Sequence, residues 1–174
     1  MMTIEIKDDV PGLAAWINSA NANIIFLDGE CGSGKSWLAS ELTKFGFATI
    51  DADQFVTRNT GRYVSTLNVT AFNAKISEVQ SKPIVISCIC ARDVADALQF
   101  DNTKFIYVVR VTETGLDADR FGPAIERDPN TKIDPVLVPS EGTVSKEVSD
   151  YRARMKPQLC ADLVFRNSIP KNLQ

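Results

Sequence analysis

Histidine is absent from the 174 residues of the chain. Because imidazole is the commonest general base near neutral pH and the commonest zinc ligand, its absence excludes Ser-His-Asp, Cys-His and His-metal mechanisms. A surplus of positive charge is lacking too, since 19 basic residues stand against 22 acidic ones and the formal net charge is -3. This balance disfavours a protein that coats DNA or RNA. Because histidine is absent, any proton transfer must be carried out by a carboxylate, Lys, Tyr or Cys.

Long apolar runs are missing as well. The N-terminal MMTIEIKDDVPG is polar and acidic, so we expect no signal peptide, no membrane span and no membrane partner. Of the four cysteines, Cys88 and Cys90 lie in an apolar run and Cys31 lies in a glycine-rich segment. This usage favours reduced thiols and a cytoplasmic location.

Apolar segments of strand length alternate with segments of helical spacing, which is typical of a parallel sheet covered by crossover helices. Five buried strands are predicted, at 23–27, 47–50, 83–89, 104–111 and 162–165. Helices are predicted at 10–20, 34–45, 69–81, 92–99 and 140–159, and residues 3–6 are a candidate edge strand. The polar stretch 112–139 is interpreted as a lid within a single domain that spans residues 1–174.

The most specific motif is GECGSGKS, a complete match to the phosphate-loop pattern GxxxxGK[ST] between a predicted strand and a predicted helix. Glycines let the backbone amides point at phosphate oxygens, and the helix N-terminus adds its dipole. Lys35 is expected to reach the terminal phosphates, and Ser36 to ligate Mg²⁺. The candidate nucleotide site comprises Gly29, Glu30, Cys31, Gly32, Ser33, Gly34, Lys35, Ser36 and Trp37.

Two carboxylates follow the second predicted strand, in TIDADQF. Asp51 and Asp53 should lie at the carboxyl edge of the sheet, where open parallel sheets bind ligands. One of them can hold Mg²⁺ or its waters while the other takes a proton from an attacking hydroxyl. The spacing leaves open which of the two is the base, and either could instead cap the following helix.

Motifs of other phosphate-loop proteins are missing. A GTPase would carry DxxG and NKxD after strands, whereas the similar TKID at 131–134 follows no buried strand. Helicases and transporters usually end an apolar strand on an acidic residue, whereas PIVIS ends at Ser87 and Cys88. Among these classes of phosphate-loop protein, the one that the sequence still fits is a small phosphotransferase.

Segments spanning about 23–167 resemble, in order, the nucleoside and nucleotide kinase group of P-loop proteins, most closely its uridine-kinase-like branch. The segments are GECGSGKS, TIDADQF, GRYVSTLNVTAFNAKI, IVISCICARDVADAL, FIYVVRV, DADRFGPAIERD and ADLVFRN. The expected fold is therefore a three-layer α/β P-loop fold with a five-stranded parallel sheet in the order 2-3-1-4-5 and a short lid. Where that branch usually has Glu-Gly after the third strand, this chain has Ser87 and Cys88, so Asp53 would have to supply the missing acid or the acceptor would differ.

The resemblance also implies roles for single residues. Lys35 and Ser36 would hold the phosphates of ATP and Mg²⁺, and Asp51 would be the base or the metal carboxylate. Arg120 and Arg127 would close over the transferring phosphate. A solvated surface pair is the alternative, and Arg110 could serve instead. Arg166, with Asn167, would flank the adenine.

Residues between the two carboxylates and the next helix should meet the acceptor. Arg62 and Tyr63 are the candidate substrate-binding residues together with Asp53, although Tyr63 could equally pack on the core. The expected activity is that of an ATP- and Mg²⁺-dependent kinase acting on a hydroxyl of a small-molecule acceptor, a nucleoside or nucleotide. A kinase acting on a hydroxyl of DNA and a nucleotide-binding module without transfer stay open. The oligomeric state, a homodimer included, is also left open.

Overall fold

The computed structural model of the protein describes residues 4–80, 83–112, 116–118, 126–127, 140 and 142–168. Over these ranges the chain forms an α/β fold around one parallel sheet of six strands. The strands are β1 Ile4–Lys7, β2 Ile24–Asp28, β3 Ala48–Asp51, β4 Ile84–Ser87, β5 Thr103–Arg110 and β6 Leu163–Asn167. The helices are α1 Val10–Ser19, α2 Lys35–Thr43, α3 Val69–Glu78, α4 Ala91–Leu98 and α5 Val144–Met155.

The strand order across the sheet is β1-β6-β5-β2-β4-β3. The five strands predicted from the sequence keep the expected relative order, but the expected count of five is wrong because β1 forms a sixth. β1 pairs in parallel with β6 alone, from Ile4 opposite Leu163 to Lys7 opposite Arg166. Its residues are mostly exposed, so a search for buried apolar runs does not count it.

All five predicted helices form. Four of them are shorter than predicted, whereas α4 keeps its length and begins one residue earlier, at Ala91. Gly34 has a left-handed backbone, so α2 begins only at Lys35. Val79 is extended and ends α3, and Lys156 is left-handed and ends α5. Most of the expected lid at 112–139, including Arg120, lies outside the described residues.

The central strand β2 is buried over its whole length, because helices cover both faces of the sheet. Phe26 belongs to a core cluster shared with residues of α3 and α4, whereas Ile25 and Leu27 belong to a second cluster shared with α1 and α2. Since the strands are parallel, their carboxyl ends meet at one edge. That edge carries Asp28, Asp51, Ser87, Arg110 and Asn167.

The cysteines of the chain are free thiols: Cys88 and Cys90 are buried, and Cys31 and Cys160 are exposed. In the part of the chain that the structure describes, no helix combines the length and the apolar character needed to cross a bilayer.

Phe26 is fully buried, and its ring stacks on that of Phe105 with 5.5 Å between the centroids. We expect Phe26→Ala to lower the free energy of unfolding by about 3–5 kcal/mol, because it removes a large side chain and leaves a cavity in the central strand. The matched control is Phe45→Ala, since Phe45 is 45% exposed and should cost under about 1 kcal/mol. Urea unfolding measures both, and similar losses would contradict the assignment of Phe26 to the core.

Candidate functional site

A glycine loop, residues 29–34, joins the end of β2 to the start of α2. Gly29, Gly32 and Gly34 have φ angles of 144°, 76° and 96°, values that residues with a side chain rarely adopt. At Gly29 a Cβ atom would also lie 2.5 Å from the carbonyl oxygen of Val108 and 3.0 Å from the Ser33 hydroxyl. Glycine at position 29 is therefore required both by its backbone angle and by the lack of space.

Lys35 lies inside the curve of this loop, and only 8% of the residue is exposed to solvent. Its Nζ donates hydrogen bonds to the carbonyl oxygens of Gly29, at 2.8 Å, and of Glu30, at 2.7 Å. Gly34 precedes α2 without a side-chain cap, and the first amides of a helix have no acceptor within it. A buried ammonium group and the positive end of a helix thus lie together, as an anion-binding site requires.

The Ser33 hydroxyl of this loop is buried and has no hydrogen-bond partner within the described residues. The backbone of Ser33 is held in place, because its carbonyl oxygen accepts a hydrogen bond from Asn167 Nδ2 at 3.3 Å. An unsatisfied buried hydroxyl costs free energy, so this one is well placed to bind a polar ligand. Ser36 is exposed at the second position of α2, whereas Trp37 packs partly against the core cluster of α1 and α2.

Asp28 ends β2 directly before the glycine loop and is 3% exposed. Its carboxylate accepts hydrogen bonds from the amide of Gly29 at 2.8 Å and from the hydroxyl of Tyr151 on α5 at 2.5 Å. Burial raises the pKa of Asp28 above its ordinary value of 3.8, against the opposing effects of these hydrogen bonds and of Lys35. Burial raises the pKa of Cys88 well above its ordinary value, and the nearby charge of Asp28 raises it further. The buried carboxyl group of Asp28 therefore lies close to the end of β4, where the sequence has Ser87 and Cys88 in place of an acidic residue.

Asp51 and Asp53 are both at the expected edge of the sheet. Asp51 ends β3 opposite Ser87, and its Oδ1 accepts the amide of Asp53 at 3.1 Å, so it does cap the short 3₁₀ turn Ala52–Phe55. Burial raises the pKa of Asp51, while Lys35 and Arg58 act electrostatically to lower it. Asp53 is exposed and accepts the Tyr63 hydroxyl at 2.7 Å.

Tyr63 packs on the core, which is one of the two alternatives that the sequence left open, and its role in substrate binding stays a prediction. Its ring is 5% exposed and belongs to the core cluster of α3 and α4, and its hydroxyl binds Asp53. Burial raises the pKa of Tyr63 strongly, so the hydroxyl stays protonated and donates to Asp53. The side chain of Glu147 on α5 accepts the backbone amides of Tyr63 at 2.7 Å and of Val64 at 3.0 Å.

Sequence reasoning did not single out Arg152. This arginine on α5 is 4% exposed, forms ion pairs with Glu30 in the glycine loop and with fully buried Glu126, and lies over the ring of Tyr107. It lines a cavity of about 640 Å³ that also contacts the glycine loop and Arg110. Nothing in the helical pattern of α5 marks Arg152, because its burial arises only from tertiary packing.

The other predicted arginines lie in different surroundings. Arg110 ends β5 and donates to the carbonyl oxygen of Gly32 at 3.2 Å. Arg127 is exposed next to buried Glu126, and Arg120 is not described. Arg166 forms ion pairs with Glu5 of β1 and with Asp117, and Asp117 lines the 640 Å³ cavity.

The donor set at this edge fits Mg²⁺ only with oxygen ligands from a bound phosphate. Over the described ranges, no three Cys, Asp or Glu side chains form a cluster that could hold a metal ion by themselves. The residues that fit a phosphate group are those of the glycine loop, because the ammonium group of Lys35 lies against this loop and the Ser33 hydroxyl has no partner in the described part of the chain. The chain matches no protein-family model and no curated protein.

Gly29→Ala should lower the free energy of unfolding by at least about 2 kcal/mol, because the new Cβ adds a clash with Val108 to the strained backbone angle. Gly32→Ala is the matched control. It has a positive φ but nothing within 4 Å of its Cβ, so about 1 kcal/mol is expected there. If urea unfolding gave the same loss of free energy for both variants, the predicted clash between a Cβ at position 29 and Val108 would be wrong.

Asp28 should make the protein less stable as the pH rises. Since its pKa is raised in the folded state, the folded protein holds this proton more tightly than the unfolded chain, and the free energy of unfolding falls from pH 3.8 upward until the folded-state pKa is passed. Asp28→Asn should remove this fall. Urea unfolding from pH 4 to pH 8 measures it, and parallel pH profiles of the two proteins would contradict it.

Proposed function

We propose that the protein is an ATP- and Mg²⁺-dependent kinase that transfers the terminal phosphate of ATP to a hydroxyl of a small acceptor, a nucleoside or nucleotide. The observation that carries the proposal is the glycine loop with Lys35 inside its curve, beside the carboxylates that end β2 and β3. Phosphoryl transfer asks mainly for positioning and charge stabilisation, and this edge offers both.

The donor phosphates would bind the loop amides and Lys35. On binding, the ammonium group would exchange the carbonyl oxygens of Gly29 and Glu30 for phosphate oxygens, which are stronger acceptors. The Ser33 hydroxyl would gain its partner. Mg²⁺, held by Ser36 and Asp51 together with the phosphates, would neutralise charge on them.

The two carboxylates then divide their work by position. Asp51 is close enough to Lys35 for its pKa to be affected, which suits the metal side. Asp53 lines a second cavity and is the base of the proposal. It takes the proton of the acceptor hydroxyl while the oxygen bonds to the terminal phosphorus of ATP and the bond to ADP breaks.

Positive side chains would stabilise the charge of the transferred group. Arg110 and Arg152 border the 640 Å³ cavity beside the loop, and Arg120 and Arg127 belong to the proposed lid. The adenine would lie in this cavity, towards Asp117 and Arg166. The four free thiols support a cytoplasmic location as part of the proposal.

The test is an incubation with Mg²⁺ and ATP labelled at the terminal phosphate, against a panel of nucleosides, nucleotides, small alcohols and DNA oligomers. Lys35→Ala should abolish transfer to any acceptor, because the phosphates lose their buried cation. Lys44→Ala is the matched control, since Lys44 follows α2 on the surface and pairs with Glu41. Wild-type rates in Lys35→Ala would overturn the proposal, and label on DNA alone would favour a DNA kinase.

Asp53→Asn should lower kcat by about 100-fold or more while leaving ATP binding unchanged, because the base is lost but the loop is not. Asp51→Asn should instead raise the Mg²⁺ concentration needed for half-maximal rate. Initial rates against Mg²⁺, with ATP affinity by calorimetry, separate the two effects. The opposite pattern would exchange the two roles.

A further inference from the structure

The second cavity has the proposed base, Asp53, in its lining. Its volume is about 390 Å³, and it is lined by Asp53, by residues 56–63 and by Val144 at the start of α5. This volume falls within the range of small-molecule sites. Because the cavity contains the proposed base, it is the place where an acceptor would bind.

Two arginines line this cavity, Arg58 and Arg62. Neither guanidinium group has a hydrogen-bond or ion-pair partner in the part of the chain that the structure describes, whereas several other arginines bind an oxygen there. These are Arg92 with Cys160, Arg110 with Gly32, Arg152 with Glu30, Arg154 with Asp93 and Arg166 with Glu5. The carboxylate of the cavity, Asp53, already accepts the Tyr63 hydroxyl. Two arginines and one carboxylate thus give the cavity lining a net positive charge in a chain whose formal net charge is -3, although Arg58 also acts electrostatically on Asp51.

The loop that carries the two arginines is held at several points. The Thr60 hydroxyl donates to the carbonyl oxygens of Thr57 at 3.2 Å and of Arg62 at 3.0 Å. Gly61 has a φ of 69° and lies so close to the carbonyl oxygen of Gly142 that a Cβ atom could not fit. Glu147 anchors the two residues that follow Arg62 through their amides. A backbone fixed in this way lowers the entropy cost of placing two guanidinium groups around one ligand.

We propose that this cavity binds an acceptor through a phosphate group, so that the substrate is a free nucleotide with a hydroxyl at Asp53 and its phosphate between Arg58 and Arg62. Guanidinium groups recognise phosphate oxygens with paired hydrogen bonds. This inference rests on the proposed kinase function for the role of Asp53. The recognition of phosphate itself rests on the cavity alone.

The experiment measures binding by calorimetry without ATP, for matched pairs of each common nucleoside and its 3′- and 5′-monophosphates. We expect at least one monophosphate to bind about tenfold or more tightly than its nucleoside, since a hydrogen bond to a charged group contributes about 1.5–3 kcal/mol. Arg58→Gln and Arg62→Gln should each remove about tenfold of that preference and leave the affinity for the nucleoside unchanged. Lys75→Gln, which removes a positive charge that pairs with Glu78 outside the cavity lining, is the matched control and should change nothing.

Three outcomes would overturn the inference. Equal affinities for nucleoside and monophosphate would show that the cavity does not recognise phosphate. A monophosphate affinity that falls in Lys35→Ala but not in the arginine variants would assign the binding to the glycine loop. Much tighter binding of a single-stranded DNA oligomer, with a steep salt dependence, would exchange the free nucleotide for a polynucleotide. Since no donor is present, these results are independent of the labelled-ATP test, so the two proposals can fail separately.

Discussion

Contacts between α5 and the carboxyl edge of the sheet hold the parts of the candidate site together. Tyr151 and Arg152 are neighbours in the chain, and one binds Asp28 just before the glycine loop while the other pairs with Glu30 inside it. One turn earlier, Glu147 accepts the amides of residues 63 and 64. A single rigid helix thus fixes the distance between the loop proposed for the donor and the segment proposed for the acceptor, which is the geometric condition for transfer between two ligands.

These contacts use buried charge, and that choice has an energetic cost. Arg152 and Glu126 are almost completely removed from solvent, and moving each charge out of water is unfavourable. Glu126 offsets part of its cost by accepting the amides of Gln158 and Leu159 at 3.0 and 3.1 Å, yet burial still raises its pKa. Apolar side chains in these positions would hold α5 against the sheet equally well. Oriented charges would suit the proposed binding of a phosphorylated ligand at this edge, because they need no rearrangement when the ligand arrives.

The sequence predicted the parts of this structure that depend on local pattern. The buried strands, the five helices and the glycine loop follow from apolar spacing and from GECGSGKS, and Asp51 and Asp53 follow from the end of a strand. The roles of Asp28, Arg152 and Glu147 could not be found in that way, because each of them has a partner between 83 and 123 residues away in the chain. β1 was only a candidate strand, since an exposed edge strand lacks the apolar pattern of a buried one.

The position of β6 between β5 and β1 affects how the chain can fold. β1, at Ile4–Lys7, precedes the other five strands of the sheet in the chain, but the strand that it pairs with, Leu163–Asn167, follows all of them. Among the six strands β1 is thus made first, yet it cannot pair until the last of them is made, and this pairing of distant segments raises the contact order of the sheet. Until residues 163–167 have emerged, the edge of β5 that β6 covers stays open to other strands. An edge of β5 that stays uncovered while the rest of the sheet is made is therefore a direct consequence of the strand order.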